Sequence, residues 1–241
     1  NGERLGLPVR FAHGDWLEGA GSGYGLVVSN PPYVRGDAPP PPELLALAQA
    51  LPPHLHLGTS SWHFPGWQGL VWEDAHAQPT LSRHGLAAYA QHPLLRSVSL
   101  DRAFYRPLTA SQYAQYAAQV PPGFRFVVKG PSLVCDALVR DEDGRGLQAN
   151  PAFLDPALAV ETFVRPALEG LGDKLGALVF QISPVPAALL ADFDGLLQRL
   201  RILLRALPPL RPTAPDGVVA GEVRDTAWLT PAFVQVLRGA R

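Results

Sequence analysis

The chain has 241 residues, 47% apolar and 17% charged, a globular composition long enough for one large domain or two small ones. A formal net charge of -1 argues against general electrostatic binding to nucleic acid or to an anionic membrane. The single cysteine, Cys135, excludes an internal disulfide framework and fits a reducing, cytoplasmic compartment; no apolar run reaches the ~20 residues that span a bilayer, and no signal peptide opens the chain.

In chain order, Val9-Arg10-Phe11-Ala12 and Gly25-Leu26-Val27-Val28-Ser29 read as short strands, each followed by polar or turn residues. Pro39-Pro40-Pro41-Pro42 and Pro52-Pro53 then mark residues 38–53 as a stiff Pro-rich linker, with a short helix or turn from Glu43 to Leu51 inside it. Beyond the linker a regular alternation begins. Leu55 to Gly58 is a strand, and a helix runs from Thr80 to about Gln91. Ser97 to Leu100 is the next strand. Thr109-Ala110-Ser111-Gln112 has capping-box spacing and opens a second helix, which Pro121-Pro122-Gly123 stops. Phe124 to Lys129 is the third strand, with a polar loop around Asp141-Glu142-Asp143-Gly144 after it.

Asp155-Pro156 opens a further helix, which Pro166 is expected to kink or split. Ala177 to Ile182, apolar on both faces, reads as a buried parallel strand. Leu189, Phe193, Leu196, Leu200 and Leu203 mark a long helix, and Val218 to Val223 is the fifth strand. Thr230-Pro231 caps a last helix that has barely begun at Arg241; with the lack of any Met, this predicts a fragment. Strands alternating with helices predict a parallel α/β sheet. Two architectures fit, a doubly wound open sheet and a (β/α)8 barrel cut short, and periodicity does not choose between them.

Sites in such folds lie at the C-terminal strand ends. Here those ends run into Thr59, Ser60, Ser61 and Trp62, then Asp101, Arg102, Phe104 and Tyr105, then Lys129, Gln181, and finally Glu222 and Arg224. Lys129 is one of only two lysines against 18 arginines, so coding bias does not account for its position. Lys129, Glu222 and Asp101 are the candidate acid–base or catalytic groups, a desolvated lysine being also a candidate Schiff-base former. Thr59, Trp62, Tyr105, Gln181 and Arg224 are the candidate ligand contacts, for a small polar or anionic molecule. The structural alternative is that Lys129–Glu222 and Asp101–Arg224 are plain ion pairs, and that Trp62, Trp67 and Trp72 are rim packing. His54, His56, His63, His76, His84 and His92 have no carboxylate or Cys at ligand spacing, so no metal is expected.

The larger part resembles the YecE-like family, domain of unknown function 72. The matching stretches are Leu57-Gly58-Thr59-Ser60-Ser61-Trp62 with Pro65-Gly66-Trp67, Phe104-Tyr105-Arg106, and Val120-Pro121-Pro122-Gly123-Phe124-Arg125-Phe126 with Val128-Lys129. Leu171-Gly172-Asp173-Lys174-Leu175-Gly176, Phe180-Gln181, Glu222-Val223-Arg224 and Trp228 complete the set. The resemblance implies an incomplete TIM-type barrel of about five strands over residues 54–241, three strands lying beyond Arg241. It implies a strand-end cleft and no cofactor, and attaches no reaction to either. Asp101-Arg102-Ala103 stands where the family more commonly has Asn-Ser-Thr, and Asp225 where a His usually follows the Arg.

Residues 1–37 resemble instead the HemK/PrmC-type methyltransferases, which methylate a glutamine side chain of release factors. Asn30-Pro31-Pro32-Tyr33 carries the likeness, after Asp15-Trp16. It implies that the Asn30 carbonyl and a backbone carbonyl of the Pro31-Pro32 pair would accept from a glutamine amide, that the Tyr33 ring would pack on it, and that Asp15 would lie near the adenine side of S-adenosylmethionine. The donor's glycine-rich loop would precede Asn1. S-adenosylmethionine and a release factor are therefore expected only if that part were complete. Three functions follow: a barrel with a small-molecule cleft, a fragment of a protein-glutamine N5-methyltransferase, or a fusion with no activity of its own.

Overall fold

A computed structural model describes residues 26–28, 40–72, 74–141 and 146–239. Its strands are β1 (Leu26–Val28), β2 (His56–Thr59), β3 (Leu95–Leu100), β4 (Arg125–Lys129), β5 (Leu138–Arg140), β6 (Gly146–Ala149), β7 (Leu175–Ile182) and β8 (Val218–Val223). Helices α1 (Pro42–Ala50), α2 (Gln78–Tyr89), α3 (Arg102–Tyr105), α4 (Ala110–Ala117) and α5 (Ser132–Cys135) come first. They are followed by α6 (Pro156–Ala159), α7 (Arg165–Leu171), α8 (Ala187–Leu190), α9 (Phe193–Ala206) and α10 (Pro231–Arg238). No helix among the described residues is long and apolar enough to cross a membrane.

One sheet has the order β1-β2-β3-β4-β7-β8, every neighbouring pair parallel. The strands lie side by side in chain order. A doubly wound sheet would instead reverse its order partway, so the progression is that of a barrel, and β2, β3, β4, β7 and β8 curl as half of one. The pair β5 and β6 is a separate antiparallel hairpin, which the sequence shows only as a polar loop. Gly58 permits the closest approach in the sheet, because a Cβ there would stand 2.1 Å from the Ser97 carbonyl oxygen.

Alternation along the strands divides the side chains. Val98, Leu100, Phe126, Val128, Leu178, Phe180 and Ile182 lie in the hydrophobic core with the apolar sides of α2, α4, α7, α9 and α10. On α9 alone, Leu196, Leu197, Leu200, Leu203 and Leu204 are buried, each such burial stabilising by roughly 1.5–3 kcal/mol over exposure. Ser97, Ser99, Arg125, Val127, Lys129, Val179 and Gln181 take the inner face.

Local signals explain the element starts. Thr109 accepts from the Gln112 N–H, and the Gln112 side chain accepts from the Thr109 N–H, a complete capping box. Asp155 and Thr230 cap α6 and α10 in the same way, accepting from Leu158 and Phe233 N–H groups. Pro166 neither ends nor sharply splits its helix: a wide five-residue π turn over Val160–Val164 precedes α7 and absorbs the hydrogen bond that the proline cannot make.

Helix α1 is not merely a spacer segment in its packing. Leu44, Ala48 and Leu51 are buried with Leu55, Leu57 and Leu94 in a second apolar cluster beside β2, and Arg96 Nη2 donates to the Ala48 carbonyl at 3.2 Å. Of the earlier residues, the strand expected around Leu26 is seen as β1. Asp15, Asn30, Pro31, Pro32 and Tyr33 lie outside the described residues.

Candidate functional site

At the C-terminal ends of the strands a cavity of about 960 Å³ opens between α3, α5, the β5–β6 hairpin and the ends of β7 and β8. Tyr105, Gln181 and Arg224, three of the candidate ligand contacts, line it. Tyr105 is 82% exposed at its mouth, its ring set edge-on against Phe104. Gln181 is the most informative. Its Oε1 is buried and has no hydrogen-bond partner among the described residues.

The charged groups pair differently from the sequence expectation. Lys129 Nζ donates to Asp101 Oδ2 at 3.4 Å, and Ser99 Oγ donates to Asp101 Oδ1 at 2.5 Å. Arg224 Nη2 lies 2.9 Å from Glu222 Oε1. Thus Lys129 takes Asp101 and not Glu222, and Arg224 takes Glu222 and not Asp101. The reason is local: Leu100 is in register with Val128, which brings Asp101 level with Lys129 on the neighbouring strand. Glu222 and Arg224 are two apart on β8 and its continuation, so they share a face. Both pairs are partly exposed, and pairs of that kind contribute roughly 0.2–1 kcal/mol.

Two predicted contacts belong to the core. Thr59 is level with Val98, after a register shift between Leu57 and Gly58, and is therefore turned to the helix layer. Its hydroxyl donates to the Ser61 carbonyl at 2.6 Å and lies 2.8 Å from the Tyr89 hydroxyl. Burial pushes the Tyr89 phenol up to about 12, against smaller lowering by its bonds with Thr59. Trp62 is buried against Tyr116, ring centroids 5.4 Å apart. Neither side chain is turned to the cleft.

The far wall was not legible as a site. Asp136, only 2% exposed, accepts from the Leu138 N–H at 3.0 Å and from Arg140 Nε at 2.6 Å. Asn150 Nδ2 donates to the Leu133 and Asp136 carbonyls, both at 2.8 Å. These contacts tie the base of the hairpin to α5. The four-residue spacing of Asp136 and Arg140 and the Asp143-Gly144 pair in the sequence beyond them were the available signals. Cys135, beneath this wall, is fully buried, which pushes its thiol up to about 12, offset in part by a hydrogen bond with the Gln181 backbone. It is a packed thiol and not a nucleophile. Among the described residues no group of three or more His, Cys, Asp or Glu is placed to hold a metal ion.

A second cavity, of about 1060 Å³, lies at the opposite, N-terminal ends of β2, β3, β4, β7 and β8. His56, Arg96, Arg125, Arg211 and Asp216 line it.

The fold and its strand-end cleft define an α/β half-barrel. Residues 56–241 match the family described as Protein of unknown function DUF72, and the chain belongs to that family. No curated protein matches it. Among solved structures it is similar to a DUF72 family protein from Thermotoga maritima MSB8, with 23% identity, a TM-score of 0.48, and coverage of 77% of this chain and 61% of that one. Two structures of a DUF72 family protein from Enterococcus faecalis V583 are also similar. One has 25% identity and a TM-score of 0.41, over 66% of this chain and 55% of that one. The other has 22% identity and a TM-score of 0.46, over 76% of this chain and 55% of that one. The chain therefore spans between about half and three fifths of the length of these relatives.

Proposed function

We propose that the cleft at the C-terminal strand ends receives a small polar or anionic ligand. The observation that carries this reading is Gln181. An unpaired buried polar atom costs about 1–3 kcal/mol, and buried amides normally find partners. Here the carbonyl oxygen of Gln181 is buried without one beside a cavity of about 960 Å³. A ligand hydroxyl or N–H would supply the missing donor. Arg224 lines the same cavity and keeps donors beyond its contact with Glu222. It is suited to a carboxylate or phosphate on the ligand. Tyr105 offers an exposed ring at the mouth. Asp101, Lys129 and Glu222 stand at strand ends outside the lining of this cavity, held as the pairs Lys129–Asp101 and Arg224–Glu222, so the reading extends to binding and attaches no reaction to it.

The test is a titration of the ¹⁵N-labelled chain with glucose, malonate and inorganic phosphate, followed by ¹H–¹⁵N spectra. Saturable shifts of the Gln181 side-chain amide, the Arg224 Nε–H and the Tyr105 backbone are expected with at least one of the three. Three titrations that leave all these signals in place overturn the reading.

A further inference from the structure

The cavity at the N-terminal strand ends is lined by two further side chains, Arg125 and His56, that among the described residues each carry a buried polar atom without a partner. Arg125 uses Nη2 on Asp216 Oδ2 at 2.8 Å and Nη1 on the Phe124 carbonyl at 3.2 Å. Its Nε is buried and has no partner among the described residues. His56 Nδ1 is likewise buried and unpartnered. Both side chains line the one cavity. The remaining unpaired buried side-chain atoms among the described residues, besides Gln181 Oε1, are Nε1 of Trp62 and of Trp228, and they are different. Those indoles are packed among other rings, Tyr116 for Trp62 and Phe193 and Phe233 for Trp228, and neither lines a described cavity.

Charge points the same way. Arg96, Arg125 and Arg211 line the cavity against a single carboxylate, Asp216, which is largely exposed. Three guanidinium groups around a partly enclosed space raise its potential and concentrate anions there. His56 responds to that field: burial lowers its pKa first and the nearby Arg125 next, and although a backbone hydrogen bond with Arg96 and the Asp216 carboxylate act the other way, the net shift is downward and favours the neutral ring. A neutral imidazole can carry its proton on Nδ1 and donate it. The backbone makes room for the arginine stem, since at Gly176 a Cβ would lie 3.0 Å from Arg125 Cβ.

We propose that this cavity is a second ligand site, distinct from the strand-end cleft, and that it takes a phosphate group through Arg125 Nε and His56 Nδ1 with Arg96 and Arg211 around it. Phosphate fits the donors: it accepts several hydrogen bonds at once and matches guanidinium geometry. The cavity is larger than the free ion, which leaves room for an ester of it.

The experiment uses the full ¹⁵N-labelled chain at constant ionic strength, titrated with inorganic phosphate, with phenyl phosphate, and with chloride as control. The Arg125 Nε–H signal reads this cavity and the Arg224 Nε–H signal reads the cleft, so the two sites are scored separately. A saturable Arg125 shift with phosphate and none with chloride is expected, and a tighter curve with phenyl phosphate identifies the ligand as an ester. Arg125→Gln should weaken binding at least tenfold. Arg211→Gln, at an exposed position where Nε donates to the Pro215 carbonyl at 3.1 Å, should weaken it severalfold with the melt little changed, while Arg205→Gln, exposed on α9, should leave it unchanged. An Arg125 signal that moves no more with phosphate than with chloride overturns the proposal, as does an Arg205→Gln variant that loses as much affinity as Arg211→Gln.

Discussion

The two ends of the sheet deal with polar groups in opposite ways. At the C-terminal ends the charges find each other, Lys129 with Asp101, Arg224 with Glu222 and Arg140 with Asp136, and a neutral amide oxygen is left over at Gln181. At the N-terminal ends the leftover atoms are on cationic or basic side chains, Arg125 and His56, and burial lowers the pKa of His56 and of His92 nearby. The comparison teaches that charge at a strand end is weak evidence of a site once it is paired. Hydrogen-bonding capacity left unused beside open space is stronger evidence, because folding bears its cost without return.

The largest expected effect separates the ends by acid. His92, in the turn before β3, is buried, and its pKa is lowered to about 4 by desolvation. Its Nδ1 accepts from the Leu94 N–H at 3.1 Å, a bond that the protonated ring cannot keep. The folded pKa lies below the unfolded value, so the stability that neutral His92 allows is complete above about pH 6.5. It is lost as pH falls toward 4, by roughly 3 kcal/mol at full effect. His56, shifted in the same direction, adds to the loss as pH falls below the ordinary histidine value. Denaturant melts from pH 7 to 4 should show this fall. His92→Asn, which keeps an acceptor oxygen near the Nδ1 position, should flatten it; a slope unchanged in that variant would place the acid sensitivity elsewhere.

At the other end the hairpin base should give the next largest effect. Asp136→Ala removes the acceptor of the Leu138 N–H and one partner of Arg140. Arg140 is partly exposed and recovers some hydration, so a loss of about 2 kcal/mol is expected in urea melts. A change below about 0.5 kcal/mol would mean that the wall of the cleft does not depend on this carboxylate. Glu222→Gln should do least, under about 1 kcal/mol, because its pair with Arg224 is largely in water.

The five strands of the larger part and most helices were legible because their signals are local: capping residues, stop residues and apolar periodicity. The site was less so, for reasons that specific residues make plain. Lys129 was singled out for its rarity, yet the other lysine, Lys174, has a structural task, donating to the Ala117 and Val120 carbonyls at 2.7 Å each beyond the end of α4. Rarity therefore did not distinguish a candidate site group from a helix cap. The fate of Thr59 turned on the register shift at Gly58, a tertiary fact with no sequence signature beyond the glycine itself. Pairings across strands, such as Asp101 with Lys129, depend on register in the same way. The hairpin was missed because its strands are short and half of its information lies in contacts with α5.

The most direct test of the cleft is Gln181→Leu, a change close in size that removes the unpaired oxygen. If that oxygen awaits a ligand, the variant should be as stable as the parent or more so, by about 1 kcal/mol in a thermal or urea melt. It should also lose the malonate or phosphate response of Arg224 and Tyr105 while the Arg125 response at the opposite end is untouched. A clear loss of stability with ligand response intact would show that Gln181 is held by the fold itself, and would contradict the cleft as a binding site built around it.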